Sequence, residues 1–378
     1  MAREKGNLLF HKFDKWIGIP AVFILGLFKI KRKLKKGKAF NRIAILNIGS
    51  IGDNILMSAV ISDLKKEYPK AEIITFAGGS NYGIVKLIPG LNEIIRLPIT
   101  NPLKTIKLLR QFSKFDIVFD FGPWPRLNAL YAAAIKSDFV VGYKTSNHYR
   151  HFVYDLSIPH GTDVHEIDNM RNLIGRFVST TDNLPQLMPA NLELASEFKK
   201  KYGTYCIIHA WAGGLRSELK QWPNNYWALL VKQISPLFDN IILTGAPADT
   251  FDTENLFNQL NLDNNNKNVI NVAGVYSIAD TVALIASARL VISVDTGIAH
   301  LTAALNRPLI CLQGPASSLR WRPYNESAVV LNPYTGYYGY LNYGYEYYKA
   351  KENCMENITV NMVYDATVNV LNTKENVI

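Results

Sequence analysis

The residues of this 378-residue chain that could do chemistry gather in four glycine-bearing loops, each directly after an apolar run. The first reads Gly49-Ser50-Ile51-Gly52-Asp53. It is neither G-x-G-x-x-G nor a P-loop, since no Gly-Lys-Ser/Thr follows. It does put a carboxylate at the start of a helix, where Asp53 is either an N-terminal cap or a general base able to take a proton from a sugar hydroxyl. The second loop, His209-Ala210-Trp211-Ala212-Gly213-Gly214, runs on to Arg216, Lys220, Gln221, Trp222 and Pro223. Amides in the turn at Gly213 and a nearby cation, Lys220, suit a diphosphate whose negative charge grows as it leaves. A lysine taken alone is more often simply solvated. In the third, Thr244-Gly245-Ala246-Pro247-Ala248-Asp249, the carboxylate either accepts from a ribose or caps the next helix. The fourth is Val294-Asp295-Thr296-Gly297-Ile298-Ala299-His300. There a strand end, a carboxylate, a hydroxyl, a glycine and a first helical turn coincide, so free amides can meet a phosphate while Asp295 and His300 orient a nucleotide sugar. One histidine on a helix is usually structural, so the weight rests on the whole cluster.

Such loops need a frame, and the sequence supplies it twice. Arg42 to Ile48 is a mostly apolar run, as a parallel strand buried on both faces requires. Helical spacing follows from Asn54 to Tyr68 and stops at Pro69, and strands are expected at Ile73–Ala77, Ile94–Leu97, Asp116–Phe121 and Phe139–Val141. Helices over Lys104–Phe112 and Arg126–Ala134 complete the alternation of βαβ units. Between Tyr143 and Pro189 the chain turns polar, with His148, His151, His160 and His165 among turn residues and a helix near Asp168–Val178. The pattern then restarts with strands at Tyr205–Ala210, Asn240–Gly245, Arg289–Ser293 and Leu309–Gln313, and helices at Asn225–Ile234, Ile278–Ala286 and Ile298–Ala304. Asp263 to Asn266 reads as an exposed turn. In open α/β sheets ligands bind beyond the carboxyl ends of the strands, so all four loops could line one cleft.

Length alone suggests two or three domains. Hydrophobic residues make up 48% and charged residues 19%, which excludes a largely disordered chain. The net charge of +10 is concentrated near the N-terminus, in Lys29, Lys31, Arg32, Lys33, Lys35, Lys36 and Lys38. Directly before it, Trp16 to Phe28 is apolar but too short for a span of about 20 residues. It suits an amphipathic anchor lying on an anionic membrane surface, on the cytoplasmic side. A basic run in place of a small-residue cleavage site argues against a secretory signal. Cys206, Cys311 and Cys354 show no metal spacing and are odd in number, which points to a reducing compartment and no zinc site.

Gly49 to Asp53 before a helix, Lys220-Gln221-Trp222-Pro223, and Asp295-Thr296-Gly297-Ile298-Ala299-His300 with Gly314-Pro315 and Trp321 to Tyr324 resemble the ADP-heptose:lipopolysaccharide heptosyltransferases, glycosyltransferase family 9. The resemblance covers roughly residues 42 to 370 in matching order. It implies an α/β protein of the GT-B fold, two Rossmann-like domains facing a central cleft. The corresponding divisions are an N-terminal arm over 1–41, an acceptor domain over 42–187, a donor domain over 188–355, and a segment 356–378 whose helix crosses back to the first domain. It further implies inverting, metal-independent transfer from a nucleotide sugar, ADP-heptose, with no cofactor. The acceptor would be a glycolipid or oligosaccharide, and nucleic acid no partner. Asp53 would be the base and Lys220 the diphosphate contact. Gly49, Gly52, Gly213, Asp249, Asp295, Thr296, Gly297 and His300 would bind the donor, Asp249 standing where the family usually has Glu. Ser58 stands where many members have proline, and the tyrosine-rich stretch Tyr334 to Tyr348 replaces a region often carrying cysteines. Transfer from a different nucleotide sugar, a non-catalytic glycan-binding protein of the same fold, and a nicotinamide-dependent oxidoreductase are the competing readings; the missing G-x-G-x-x-G counts against the last.

Overall fold

The computed structural model of the chain describes residues 8–34, 39–214, 216–261, 268–341, 346, 349–350 and 353–375. Lys35, Lys36 and Lys38 of the basic run, the turn at Asp263 to Asn266, and Tyr343, Tyr345, Tyr347 and Tyr348 lie outside them. The chain divides into two compact units, Met1–Gln186 and Leu187–Ile378.

The first unit opens with two short helices, α1 (Leu8–Trp16) and α2 (Gly18–Leu27). There follow β1 (Arg42–Leu46), α3 (Ile51–Glu67), β2 (Glu72–Ala77), α4 (Tyr82–Val85), β3 (Glu93–Arg96), α5 (Pro102–Leu109), β4 (Phe115–Asp120), α6 (Arg126–Ala134), β5 (Ser137–Lys144), β6 (Leu156–Pro159) and α7 (Glu166–Ile174). The strands form one parallel sheet in the order β3-β2-β1-β4-β5-β6. Its middle is apolar on both faces, which is why β1 reads as the unbroken run Ile43-Ala44-Ile45-Leu46, all fully buried. The chain builds outward from β1 one way, then returns to β4 and builds the other way. The loops after β1 and β4 therefore diverge, opening a crevice at their carboxyl ends.

The second unit repeats this order. It contains α8 (Leu192–Tyr202), β7 (Tyr205–His209), α9 (Asn224–Ile234), β8 (Asn240–Thr244), α10 (Thr250–Asn261), β9 (Val269–Asn271), α11 (Ile278–Ser287), β10 (Leu290–Val294), α12 (Gly297–Ala304), β11 (Leu309–Leu312), α13 (Ser318–Trp321), β12 (Ala328–Leu331) and α14 (Val360–Glu375). The parallel sheet runs β12-β11-β10-β7-β8-β9, so the direction reverses between β7 and β10. Trp222 and Trp227 meet edge to face at 4.8 Å in its core. The closing helix α14, expected to cross back to the first domain, packs on α9 and adds Val363 and Leu371 to the core of the second unit.

The N-terminal segment, expected as an arm on a membrane surface, is part of the first unit. Helix α2 packs on α6, and Val22 is wholly buried. Strand β6 lies in the stretch that reads as polar turns. The cysteines are free and buried, and burial pushes the thiols of Cys206 and Cys311 up.

Candidate active site

In the second unit the site is built at the reversal point. Strand β7 ends at His209 and the chain enters the loop at Gly213 and Gly214. Gly214 has φ +106°, a conformation that strains any L side chain, and a Cβ on Gly213 would meet nothing within 4 Å. Their backbone is thus open to a ligand. A 3₁₀ turn over Ser217–Lys220 follows. Its far end is pinned because Trp222 is buried and its Nε1 donates to the carbonyl of Ile358 at 2.8 Å. Lys220 is thereby held, and its Nζ donates to Asp295 Oδ2 at 2.7 Å. The two side chains are 19% and 10% exposed, so Lys220 is no freely solvated lysine and the pair remains within reach of a ligand. Asp295 comes from beyond β10, so this ion pair bridges the two loops that flank the reversal.

After Asp295, Thr296 caps α12: its Oγ1 accepts from the Ile298 amide at 3.2 Å and meets Ser293 Oγ at 3.2 Å. Gly297 opens the helix, whose unsatisfied first amides carry partial positive charge. His300 lies one turn in and is buried. Asp249 closes a 3₁₀ turn, Pro247–Asp249, and its Oδ2 accepts from the Ala246 amide at 2.8 Å.

The first unit holds the remaining expected residues. Ser50 and Asp53 form a capping box: the Ser50 hydroxyl accepts from the Asp53 amide at 3.3 Å, while Asp53 Oδ2 accepts from the Ser50 amide and, at 2.6 Å, from the Ser50 hydroxyl. The carboxylate is partly exposed, and among the described residues its other oxygen, Oδ1, accepts no hydrogen bond. At Gly49 a Cβ would fall 2.6 Å from Asp53 Oδ2 and 2.7 Å from Asn47 Oδ1, so a side chain there would push both polar groups from their places. Gly52 is buried in the first turn of α3.

Several supporting groups escaped the sequence reading. Asn81 reaches across from beyond β2 and donates to the carbonyls of Asn47 and Gly49 at 2.9 and 3.0 Å, bracing the loop after β1. Asp120, at the end of β4, is wholly buried and accepts from Arg150 Nη2 and Tyr154 Oη, each at 2.7 Å. Burial pushes the Asp120 carboxyl up, opposed by the Arg150 guanidinium. His209 Nδ1 lies 3.1 Å from Thr244 Oγ1, and burial lowers its pKa to about 4, so it is neutral at pH 7. Asn81, Asp120, Arg150 and Tyr154 belong to no motif, while His209 and Thr244 open the second and third glycine loops without a role being assigned to them.

Two Rossmann-like units with this strand order belong to the GT-B fold class. The structure is similar to that of Escherichia coli ADP-heptose lps heptosyltransferase II, with a TM-score of 0.72 and 21% identity, covering 88% of this chain and 99% of that one. E. coli heptosyltransferase WaaC with ADP gives 0.67 and 19%, covering 87% and 99%. Residues 106–337, more than half of the chain, match glycosyltransferase family 9 (heptosyltransferase), and the chain belongs to that family. Among curated relatives it is 24% identical to lipopolysaccharide heptosyltransferase 2 of E. coli, covering 79% of this chain and 89% of that protein. It is 23% identical to lipooligosaccharide heptosyltransferase 2 of Haemophilus ducreyi, covering 77% and 88%.

Proposed function

We propose that the protein transfers a heptose, or a related sugar, from ADP-heptose onto lipopolysaccharide or another lipid-linked glycan, with inversion and without a metal, at the inner face of the plasma membrane. The observation that carries this reading is the Lys220–Asp295 pair at the reversal point of the second sheet. A cation held there, beside the start of α12, supplies the charge that a departing nucleoside diphosphate needs. Metal ions commonly fill that role, and Lys220 with the helix amides takes it here.

In the proposed step Asp53 Oδ1 takes the proton from an acceptor hydroxyl, and the freed oxygen bonds to the anomeric carbon from the face opposite the nucleotide. The bond from that carbon to the diphosphate oxygen breaks as the new one forms, which inverts the configuration. Lys220, the amides near Gly213 and the start of α12 at Gly297 stabilise the leaving diphosphate. Asp295, Thr296 and His300 orient the donor, Gly49 and Gly52 shape the loop that holds the base, and Asp249 meets the ribose. For the acceptor, the first unit offers a concavity of about 580 Å³ after β3, walled by Arg96, Lys104 and Lys107 over Leu97, Pro98 and Leu108. Three cations over an apolar floor suit a glycan that bears phosphate or carboxylate groups.

The test is release of ADP on incubation with ADP-heptose and a lipid-linked acceptor, followed by NMR of the product's anomeric linkage. Inverted linkage with activity surviving a chelator is expected. Acceptor binding without turnover, or hydride transfer to a nicotinamide, overturns the reading. Faster turnover of another nucleotide sugar reassigns the donor, and loss of activity in chelator that a divalent ion restores overturns metal independence.

A further inference from the structure

We infer that α1 and α2 form a rigid bracket, bolted to the first unit on one side and presenting an apolar face for the surface of an anionic bilayer on the other. This goes beyond the proposed reaction, resting on it only for the expectation that the acceptor is lipid-linked.

The bolts are specific. On α1, Asp14 accepts from Arg126 Nη1 at 2.9 Å and from the Leu127 amide at 3.1 Å, at the start of α6. On α2, Gly18, Val22 and Gly26 recur every four residues and so share one face. Val22 is fully buried, and a Cβ on Gly18 or Gly26 would come within 3.0 Å of Arg126 Cβ or 2.7 Å of Phe152 Cβ. These close approaches let the helix lie flat on the unit. Beyond α2, Lys29 Nζ and the Arg32 amide donate to Asp155 at 3.0 and 2.9 Å, and the Asp155 side chain is wholly buried.

The opposite face has no such partners among the described residues. Ile17, Ile24 and Phe28, at helical spacing on the outer side of α2 and its two caps, are 59%, 56% and 80% exposed, flanked by Trp16, Leu27 and Ile30 at 74%, 81% and 86%. Scattered exposed apolar residues are normal on a protein surface, but a cluster this dense marks an interaction site. Charge decides which kind: the exposed side chains framing the face include Lys12, Lys15, Lys31 and Lys33, and Trp16 stands at its margin, as on interfacial membrane helices. Among the described residues no helix is long and apolar enough to cross a membrane. Helix α2 has 10 residues and is about 15 Å long, half of a bilayer core. The bracket lies on the lipid, and because it is bolted down it fixes how the first unit meets the surface.

The experiment uses the full chain with vesicles of phosphatidylethanolamine containing phosphatidylglycerol, and with vesicles of phosphatidylcholine alone. The parent is expected to float with the anionic vesicles, less so at high salt and weakly with phosphatidylcholine. Ile24→Glu with Phe28→Glu, both outward, should abolish flotation while thermal unfolding stays that of the parent. Lys31→Ala with Lys33→Ala should weaken partition on the order of tenfold or more, from roughly one unit of lipid attraction per cation. Flotation of the Glu variant like the parent, or no parental flotation, overturns the inference. So does self-association of the parent without lipid that the Glu variant loses, because the face would then join two copies of this chain. Turnover on a delipidated acceptor, measured in parallel, tests the reaction separately: its loss in the parent speaks against the proposed function and leaves the vesicle result standing.

Discussion

Asp53 is a capping residue in the structure and a base in the proposed reaction, and a pair of substitutions separates the roles. Ser50→Ala removes the hydroxyl that bonds the Asp53 carboxylate at 2.6 Å and receives its amide, yet leaves the carboxylate in place. Asp53→Asn keeps an oxygen that can accept from Ser50 but removes the charge and the proton-accepting power. As a cap, Ser50→Ala costs helix α3 about 1 kcal/mol, within a range of roughly 0.5–2, and Asp53→Asn, which keeps the acceptor, costs about 0.3–1 through the lost charge near the helix start. In a unit of this size that is a fall of roughly 2–4 °C per kcal/mol in melting temperature for either variant. As a base, only Asp53→Asn touches the chemical step, and its turnover should fall by roughly 10²–10⁴. The assay is calorimetry on both proteins beside saturating ADP release. Similar small losses of stability with turnover collapsing in Asp53→Asn alone are expected. Parallel turnover in the two variants would refute the argument and leave Asp53 as a cap.

Lys220→Ala should weaken ADP binding far more than adenosine binding in calorimetric titrations, because the lost contact is to the diphosphate; equal losses would remove Lys220 from that role. Deleting residues 1–38, which a detachable arm would tolerate, should lower the midpoint of urea unfolding, because it strips Asp14 from Arg126 and both cations from the buried Asp155. An unchanged midpoint would show that the bracket is not bolted. His209 ties stability to pH: its pKa falls from 6.5 to about 4 through burial, so between those values the unfolded chain binds more protons. Stability should therefore be fully present above pH 6.5 and decline by up to about 3 kcal/mol as pH falls to 4. The slope should become shallower in His209→Gln by urea titration at several pH values without vanishing, because His148, which burial shifts likewise to about 4, contributes in parent and variant alike.

What was legible in the sequence follows the physics of burial. The central strands β1, β2, β4, β7, β8, β10 and β11 are covered on both faces, so their apolar runs announce them. The strands that escaped, β6, β9 and β12, all lie at or beside sheet edges, with three or four residues and few buried side chains. Edge positions impose no such pattern. The loop residues were legible because glycine and a following helix start are local signals. The Lys220–Asp295 pair was not, since 75 residues separate its members and only the sheet order makes them neighbours. For the same reason the contacts of the N-terminal segment with Arg126 and Asp155 were not legible: they join residues more than a hundred positions apart.

The reversal points of the two sheets explain why identical strand order yields different chemistry. In the first unit the loop after β4 is locked by Asp120, Arg150 and Tyr154, all without exposure and joined through Asp120 Oδ2, with Gly122 bonded to both Asp120 and Arg150. Removing one partner of such a pair would strand a buried charge at about 3–5 kcal/mol, so the cluster acts as fixed framework and has no reason to open for a ligand. In the second unit the equivalent crossing carries Lys220 and Asp295, which keep part of their surface in solvent. Such a pair can give up its carboxylate to an incoming anion at less cost than a closed one, because the lysine stays paired and the carboxylate can reach water. Framework is therefore expected where the ion pair is closed, and ligand exchange where it is ajar. By that argument Arg150→Met should cost stability, measured by urea unfolding of the first unit, while leaving ADP affinity unchanged; a variant that unfolds like the parent but loses ADP would reverse the assignment.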